Sequence, residues 1–283
     1  MNKPARPAPL PSSPAAPGPL PLGPTGIEAY RPAEMAERVE AAGVAKAKLP
    51  VRALAMLGTL AGAFIAFGAM FYTLVATGAG DGFGPVRLLG GVAFSLGLIL
   101  VVVGGAELFT GNALIVMAWV DRKVTTAALL RNWGIVFVAN LAGALGVVML
   151  AHMADFAALG GGGVGRTAAK IAEAKVALAP GAAFARAILC NALVCLAVWL
   201  TFAARDVGGK ILAILWPITG FVAMGFEHSV ANMYLIPAGW LAGGAVTAGG
   251  FLENLALVSV GNLVGGAGGV ALSYWAIYLD KDR

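Results

Sequence analysis

Charge is the scarcest property of this chain. Asp, Glu, Lys and Arg make up 12% of its 283 residues, against 59% hydrophobic residues. A water-soluble domain carries roughly 25% charged residues, so too little charge is present to cover a folded chain in water. Together with a mean hydropathy of +0.85, this excludes a soluble globular protein and makes the chain an integral membrane protein. Barrel strands would alternate apolar and polar residues over about ten positions. The uncharged runs here last 18 to 28 residues and read as helices. Cysteine is scarce too: Cys190 and Cys195 lie five apart on one expected helix, on different faces. No mutual disulfide is expected from them, and no redox compartment follows. The two histidines, His152 and His228, are far apart in the chain, which supplies a metal site poorly; no metal and no cofactor are expected. The net charge of +5 reflects topology more than an acidic partner, and no nucleic-acid partner is expected.

What is present begins with proline. Residues 1–24 hold nine of the 15 prolines, with Ser, Ala and Gly between them. No core or regular helix is available to that stretch, so residues 1–26 read as a disordered, Pro-rich cytoplasmic tail. It is not a signal peptide, because no continuous apolar segment follows its basic residues. Residues 27–50 form an amphipathic segment, with a short helix over 33–48 expected along the membrane surface. Residues 51–280 are then read as a six-helix channel domain. Its spans are expected at 51–78, 85–120, 125–154, 181–203, 211–238 and 251–279, with the Gly-rich stretch 160–179 as the one long loop. Lys and Arg total 14 on the side of the N-terminus and five on the other. The positive-inside rule places both termini in the cytoplasm.

The second and fifth spans are interrupted by polar residues. Glu107-Leu108-Phe109-Thr110-Gly111-Asn112 and Glu227-His228-Ser229-Val230-Ala231-Asn232 both read Glu, four residues, Asn, then an apolar run. The uncharged piece 211–226 is 16 residues long, short of the roughly 20 that a crossing requires. The halves also match at Asn132 and Asn140 against Asn254 and Asn262. Three spans per half is an odd number, so the halves enter with opposite sense. The expected fold is an all-α membrane protein of six transmembrane helices, a 3+3 inverted repeat with broken second and fifth helices. Ala139 with Gly143 and Gly261 with Gly265 offer small-residue faces for close helix packing.

Backbone that is irregular at membrane depth survives only where protein or a water-filled cavity satisfies it. Each break ends at a half-helix N-terminus, which favours an anion, and Thr110 and Ser229 are read as the N-caps. A lone core histidine is ordinarily just satisfied. His228, inside a broken span beside Glu227, is read instead as a pore residue able to donate to an anion or relay a proton. His152 reads as interfacial. Glu107 and Glu227 are either proton carriers or loop anchors, each carboxylate tying down freed N–H groups of its own or the partner loop; the anchoring role is favoured, with Asn112, Ser229 and Asn232 as loop residues. Lys175 either draws anions to a mouth or is simply solvated. By composition alone Phe94, Leu98, Phe109, Val194 and Phe221 are ordinary lipid-facing or core residues.

Several of these stretches together resemble the formate/nitrite transporter family. They are Phe94-Ser95-Leu96-Gly97-Leu98, Ala106-Glu107-Leu108-Phe109-Thr110, Asn132-Trp133, Ala174-Lys175-Val176, the run from Leu189 to Trp199, and Gly225-Phe226-Glu227-His228-Ser229-Val230-Ala231-Asn232-Met233. The resemblance covers residues 27–280, and the last stretch is its most specific. It implies an aquaporin-like protomer, a homopentamer with one pore per protomer, and a multi-pass protein of a bacterial inner membrane lipid bilayer. It implies passage of small monovalent anions such as nitrite, formate or hydrosulfide. By the same resemblance His228 is the central pore histidine, with Thr110 and Asn191 as its polar neighbours. Phe94, Leu98 and Phe109 form a cytoplasmic constriction, Val194 and Phe221 a periplasmic one, and Lys175 stands near the outer vestibule. Gly111-Asn112 departs from the Ser or Thr that tends to follow this threonine in formate channels, which leaves nitrite or a related anion open.

Two other classes fit part of the pattern. An aquaporin-type channel for neutral solutes would also use paired half-helices, but no Asn-Pro-Ala motif opens either one. A membrane-embedded enzyme using Glu227 and His228 is the second, and the thin histidine supply argues against a metal in it. The expected protein is a channel and not an enzyme.

Overall fold

The computed structural model describes residues 28–78, 80 and 83–280. The expected Pro-rich tail, and Lys281 and Arg283, lie outside the described residues. In order, the helices are α1 (Pro32–Ala47), α2 (Val51–Ala76), α3 (Phe83–Gly104), α4 (Gly111–Val120), α5 (Thr126–Met153), α6 (Leu159–Val176), α7 (Pro180–Thr201), α8 (Val207–Ala223), α9 (Ser229–Leu241) and α10 (Ala248–Tyr278). Of these, α2, α3, α5, α7 and α10 are long and apolar enough to cross a membrane. Large apolar side chains such as Phe67, Phe71, Leu150 and Trp216 stay exposed on the outside of the bundle, where an aqueous protein would place charge.

Local chemistry explains where helices begin and stop. Pro32 opens α1, and the Arg31 N–H donates to the Glu34 carboxylate at 2.8 Å. Thr125, Asp206 and Thr247 cap α5, α8 and α10 by accepting a backbone N–H three residues on. The two mid-span stops share one device. Just past α3 and α8, Gly105 and Gly225 take left-handed backbone at φ 80° and 72°, a conformation that closes a helix and favours glycine.

The long helices meet through small residues. A Cβ on Gly143 of α5 would collide with the Thr59 carbonyl of α2, and one on Gly265 of α10 with the Ile188 carbonyl of α7. The expected small-residue faces therefore contact backbone directly, one in each half. Between Val264 and Ala271 helix α10 widens to π geometry. There Gly266 sits against Asn191, Cys195 and Ala113.

Two expectations change. Residues 160–179 were expected as a loop, yet most of them are helix α6. Only Gly160, Gly161 and Gly162 are left-handed, at φ 61°, 62° and 78°, and the Ala-rich remainder winds normally. The helix at 33–48 exists as α1, but its apolar face packs on protein. Met35, Ala36 and Val39 are buried with Ile115, Met117 and Ala118 of α4.

Charge fastens α1 as well. Lys123 Nζ lies 2.5 Å from Glu40 Oε2 and 2.8 Å from Asp121 Oδ2, while Trp275 Nε1 donates to Asp121 at 3.3 Å. Burial pushes the Glu40 carboxyl above the usual carboxylate range, with Lys123 pulling the other way. Lys123 in turn holds Asp121 below that range.

Two outcomes follow from this packing. Gly62→Ala should destabilise the protein by about 1–3 kcal/mol, because its Cβ would strike the Asn140 carbonyl. Gly134→Ala, with open space around it, should gain up to about 1 kcal/mol from helix propensity. Thermal unfolding in detergent compares them, and equal shifts would reject the close-contact account. Lys123→Met should loosen α1 and speed tryptic cleavage at Lys46 and Lys48 relative to the parent. That ratio should grow as pH rises through the raised Glu40 value, since only the ionised carboxylate suffers from burial without its cation. A ratio independent of pH would overturn the Glu40 account.

Candidate functional site

The broken backbone in each half is tied down by the same set of side chains. In the first break Asn140 accepts the Phe109 N–H at 2.9 Å and donates to the carbonyls of Gly58 and Glu107 at 2.8 and 2.9 Å. In the second, Asn262 accepts the Ser229 N–H at 2.9 Å and donates to Ala187 and Glu227 at 2.7 and 2.9 Å. Both asparagines are fully buried.

The carboxylates follow the same rule. Glu107 accepts from Asn112 Nδ2 at 2.8 Å and from Lys46 Nζ at 2.5 Å; Asn112 also reaches Asn132, which donates to the Lys46 carbonyl at 3.2 Å. Glu227 accepts from Asn232 at 2.8 Å and from Lys175 at 2.9 and 3.1 Å. Asn232 reaches Asn254, which donates to the Lys175 carbonyl at 3.0 Å. Helix α1 thus serves the first break as α6 serves the second.

This arrangement corrects part of the sequence reading. The freed Phe109 and Ser229 N–H groups go to asparagine oxygens, while the carboxylates hold asparagine amides and lysines. The signal for Asn140 and Asn262 was visible as a repeat match without a role attached to it. Lys46 was missed because its partner lies 61 residues away.

Between the breaks, Thr110 Oγ1 and His228 Nε2 stand 2.9 Å apart, both buried. His228, rather than Ser229, is the N-cap of α9: its Nδ1 accepts the Ala231 N–H at 3.0 Å. A ring nitrogen that accepts carries no proton, so the hydrogen sits on Nε2 and is donated to the Thr110 oxygen. The Thr110 hydroxyl hydrogen is then free for another acceptor. Thr110 itself is not a side-chain cap of α4. Asn191 touches the threonine through its backbone, donating to the Thr110 carbonyl at 3.2 Å and the Asn262 carbonyl at 2.7 Å. Its own Oδ1 is buried without a protein partner, as is Ser229 Oγ.

Two cavities approach this pair from opposite ends. One, of about 650 Å³, runs from Lys170 and Arg186 down to Phe94, Phe221 and His228. The other, of about 330 Å³, runs from Lys46 and Lys210 to Leu98, Leu108 and Gly111. Phe94 meets Phe221 edge-on at 5.6 Å, and Phe221 stacks near His228 at 5.8 Å. The resemblance assigned Phe94 and Phe221 to different constrictions; here they form one contact on the same cavity. Phe109 packs edge-on against Phe137 at 5.0 Å, and with Val194 it lies in the apolar core rather than on either cavity wall. His152 lines a separate small cavity with Tyr234.

The Formate/nitrite transporter family model matches residues 33–276. The chain belongs to that family. An uncharacterized transporter of Bacillus subtilis, YrhG, is 44% identical over 89% of this chain and 95% of its own length. The formate channel FocA of Escherichia coli K12 is 40% identical over 89% of this chain and 95% of FocA. A solved pentameric formate channel with formate bound superposes with a TM-score of 0.73 at 37% identity, covering 81% of this chain and 98% of that one. The family relatives are channels and transporters, and this chain is a multi-pass membrane protein of that kind and not an enzyme. The two matched brackets hold the breaks at whose ends Thr110 and His228 meet.

The brackets carry a stability test. Asn262→Leu removes one acceptor and two donors from buried backbone, at about 1–3 kcal/mol for each group left unpaired. The Ala187 carbonyl keeps its bond within α7, so the variant should lose at least about 2 kcal/mol, seen as a lower unfolding temperature and a loss of monodisperse protein in detergent. Stability equal to the parent's would show that the loop does not need the bracket.

Proposed function

We propose that this protein is a transmembrane channel or carrier for small monovalent anions, with formate the first candidate and nitrite and hydrosulfide next. The protomer is a six-span, 3+3 inverted repeat in which α1–α5 and α6–α10 are the two halves. Five copies assemble in a bacterial inner membrane, each with its own conduit and with both termini cytoplasmic. The larger cavity is then the outer vestibule and the smaller the inner one. The names of FocA and of the pentameric formate channel support formate and the pentamer. The matched brackets of the two breaks support the repeat.

One observation carries the reading: in the Thr110–His228 contact at 2.9 Å, His228 lines the larger cavity beside the Phe94–Phe221 contact, and Gly111, next to Thr110, lines the smaller one. A bare charge in an apolar constriction is costly. An anion arriving there meets the Nε2 hydrogen and the threonine hydroxyl, two donors that replace lost water. It crosses hydrogen-bonded to them, or as the conjugate acid after taking a proton from the vestibule water before it reaches the neutral imidazole. The carboxylates Glu107 and Glu227 stay with their lysines as anchors. The conduit opens when Phe94 and Phe221 part.

His228→Phe keeps the volume of a ring and removes both nitrogens. In liposomes it should abolish uptake of formate, nitrite and hydrosulfide measured side by side across a pH series. Undiminished flux through the variant would reject the donor role.

A further inference from the structure

The outer vestibule holds more positive charge than its carboxylate can balance. Arg87, Lys170, Lys175 and Arg186 line it, against Glu227 alone. The four cations are not equivalent. Lys175 Nζ lies 2.9 and 3.1 Å from the two Glu227 oxygens, and its side chain is 14% exposed. Its charge is cancelled at the vestibule floor. Among the described residues no carboxylate pairs with Arg87, Lys170 or Arg186.

The two arginines converge on one turn. Arg87, on α3, donates Nε to the Ala223 carbonyl at 2.5 Å and lies 5.1 Å over the Phe83 ring. Arg186, on α7, reaches the Gly225 carbonyl with Nη1 at 3.5 Å. Ala223 and Gly225 close the C-terminal end of α8, whose dipole favours cations. A Cβ on Gly225 would stand 2.5 Å from Arg87 Nη2, so glycine gives the guanidinium its room as well as the turn its φ of 72°. Each arginine uses one of five N–H donors on a carbonyl and keeps the others. A planar guanidinium suits a planar oxyanion better than an ammonium does.

We propose that the Arg87–Arg186 pair, supported by Lys170, is the entry subsite for small planar oxyanions such as a monocarboxylate, and that Lys175 is a structural cation of the Glu227 anchor. The inference rests on the conduit reading above and names the site that fills its outer mouth. Uncancelled charge at a cavity mouth raises the local anion concentration and speeds entry.

The test is initial formate uptake into liposomes as a function of ionic strength, for the parent, Arg87→Gln/Arg186→Gln and Arg87→Lys/Arg186→Lys. Glutamine can still donate to the two carbonyls, and the exposed Arg186→Gln alone serves as a milder variant should the double one fold poorly. At about 10 mM salt the glutamine pair should lose about tenfold in uptake. The parent and the variant should converge near 1 M salt, where the screening length is about 3 Å. The lysine pair should retain most of the salt dependence. A loss of equal size at every ionic strength would mark the arginines as structural, and no loss at low salt would remove them from entry; either overturns the proposal. Absence of uptake by the parent would instead reject the conduit reading itself.

Discussion

A backbone that leaves helical geometry inside a bilayer has no water to turn to, so its N–H and C=O groups must find partners within the protein. That constraint governs this molecule. Two chain breaks, one ahead of Thr110 and one ahead of Ser229, expose such groups in the interior, and Asn140 and Asn262 absorb them. Each asparagine holds a loop to itself and to a neighbouring long helix, α2 in one half and α7 in the other. The tight glycine contacts that press α5 on α2 and α10 on α7 keep the asparagines in reach. Packing and polar satisfaction are therefore one design, and neither would persist without the other.

The chemistry is delicate because its scaffold is not. Thr110 and His228 come from different halves of the chain, 118 residues apart, yet meet at hydrogen-bond distance. The imidazole is oriented by capping its own half-helix, which fixes which nitrogen carries the hydrogen. The threonine is steadied from behind by Asn191 and by the Cys195 thiol, which donates to its carbonyl at 3.5 Å. Few side chains touch the junction, and each of them is held by others.

Much of this was legible in the sequence, because it is written in local or repeating signals. Long uncharged runs marked the spans, and the shared Glu-to-Asn spacing marked both breaks. The matched asparagines at 132, 140, 254 and 262 pointed to side chains that tie down both breaks. Helix α6 was hidden because four consecutive glycines read as a chain breaker, although only three of them leave helical geometry. Lys46 was hidden because an ion pair across 61 residues has no period. The capping preference for serine pointed to Ser229, and the fold overrode it with an imidazole that had a second task. Phe94 and Phe221 sit on different helices, and only the packing of α3 on α8 brings the rings together.

The parallel between α1 and α6 has a mechanical consequence. Because Lys46 grips Glu107 and its carbonyl receives Asn132, the amphipathic helix ahead of the first span is a strut of the first break and not a loose leader. Force applied to it, by a soluble neighbour tugging on the chain upstream, would be felt first at a loop in the membrane interior and only afterwards at the mouth.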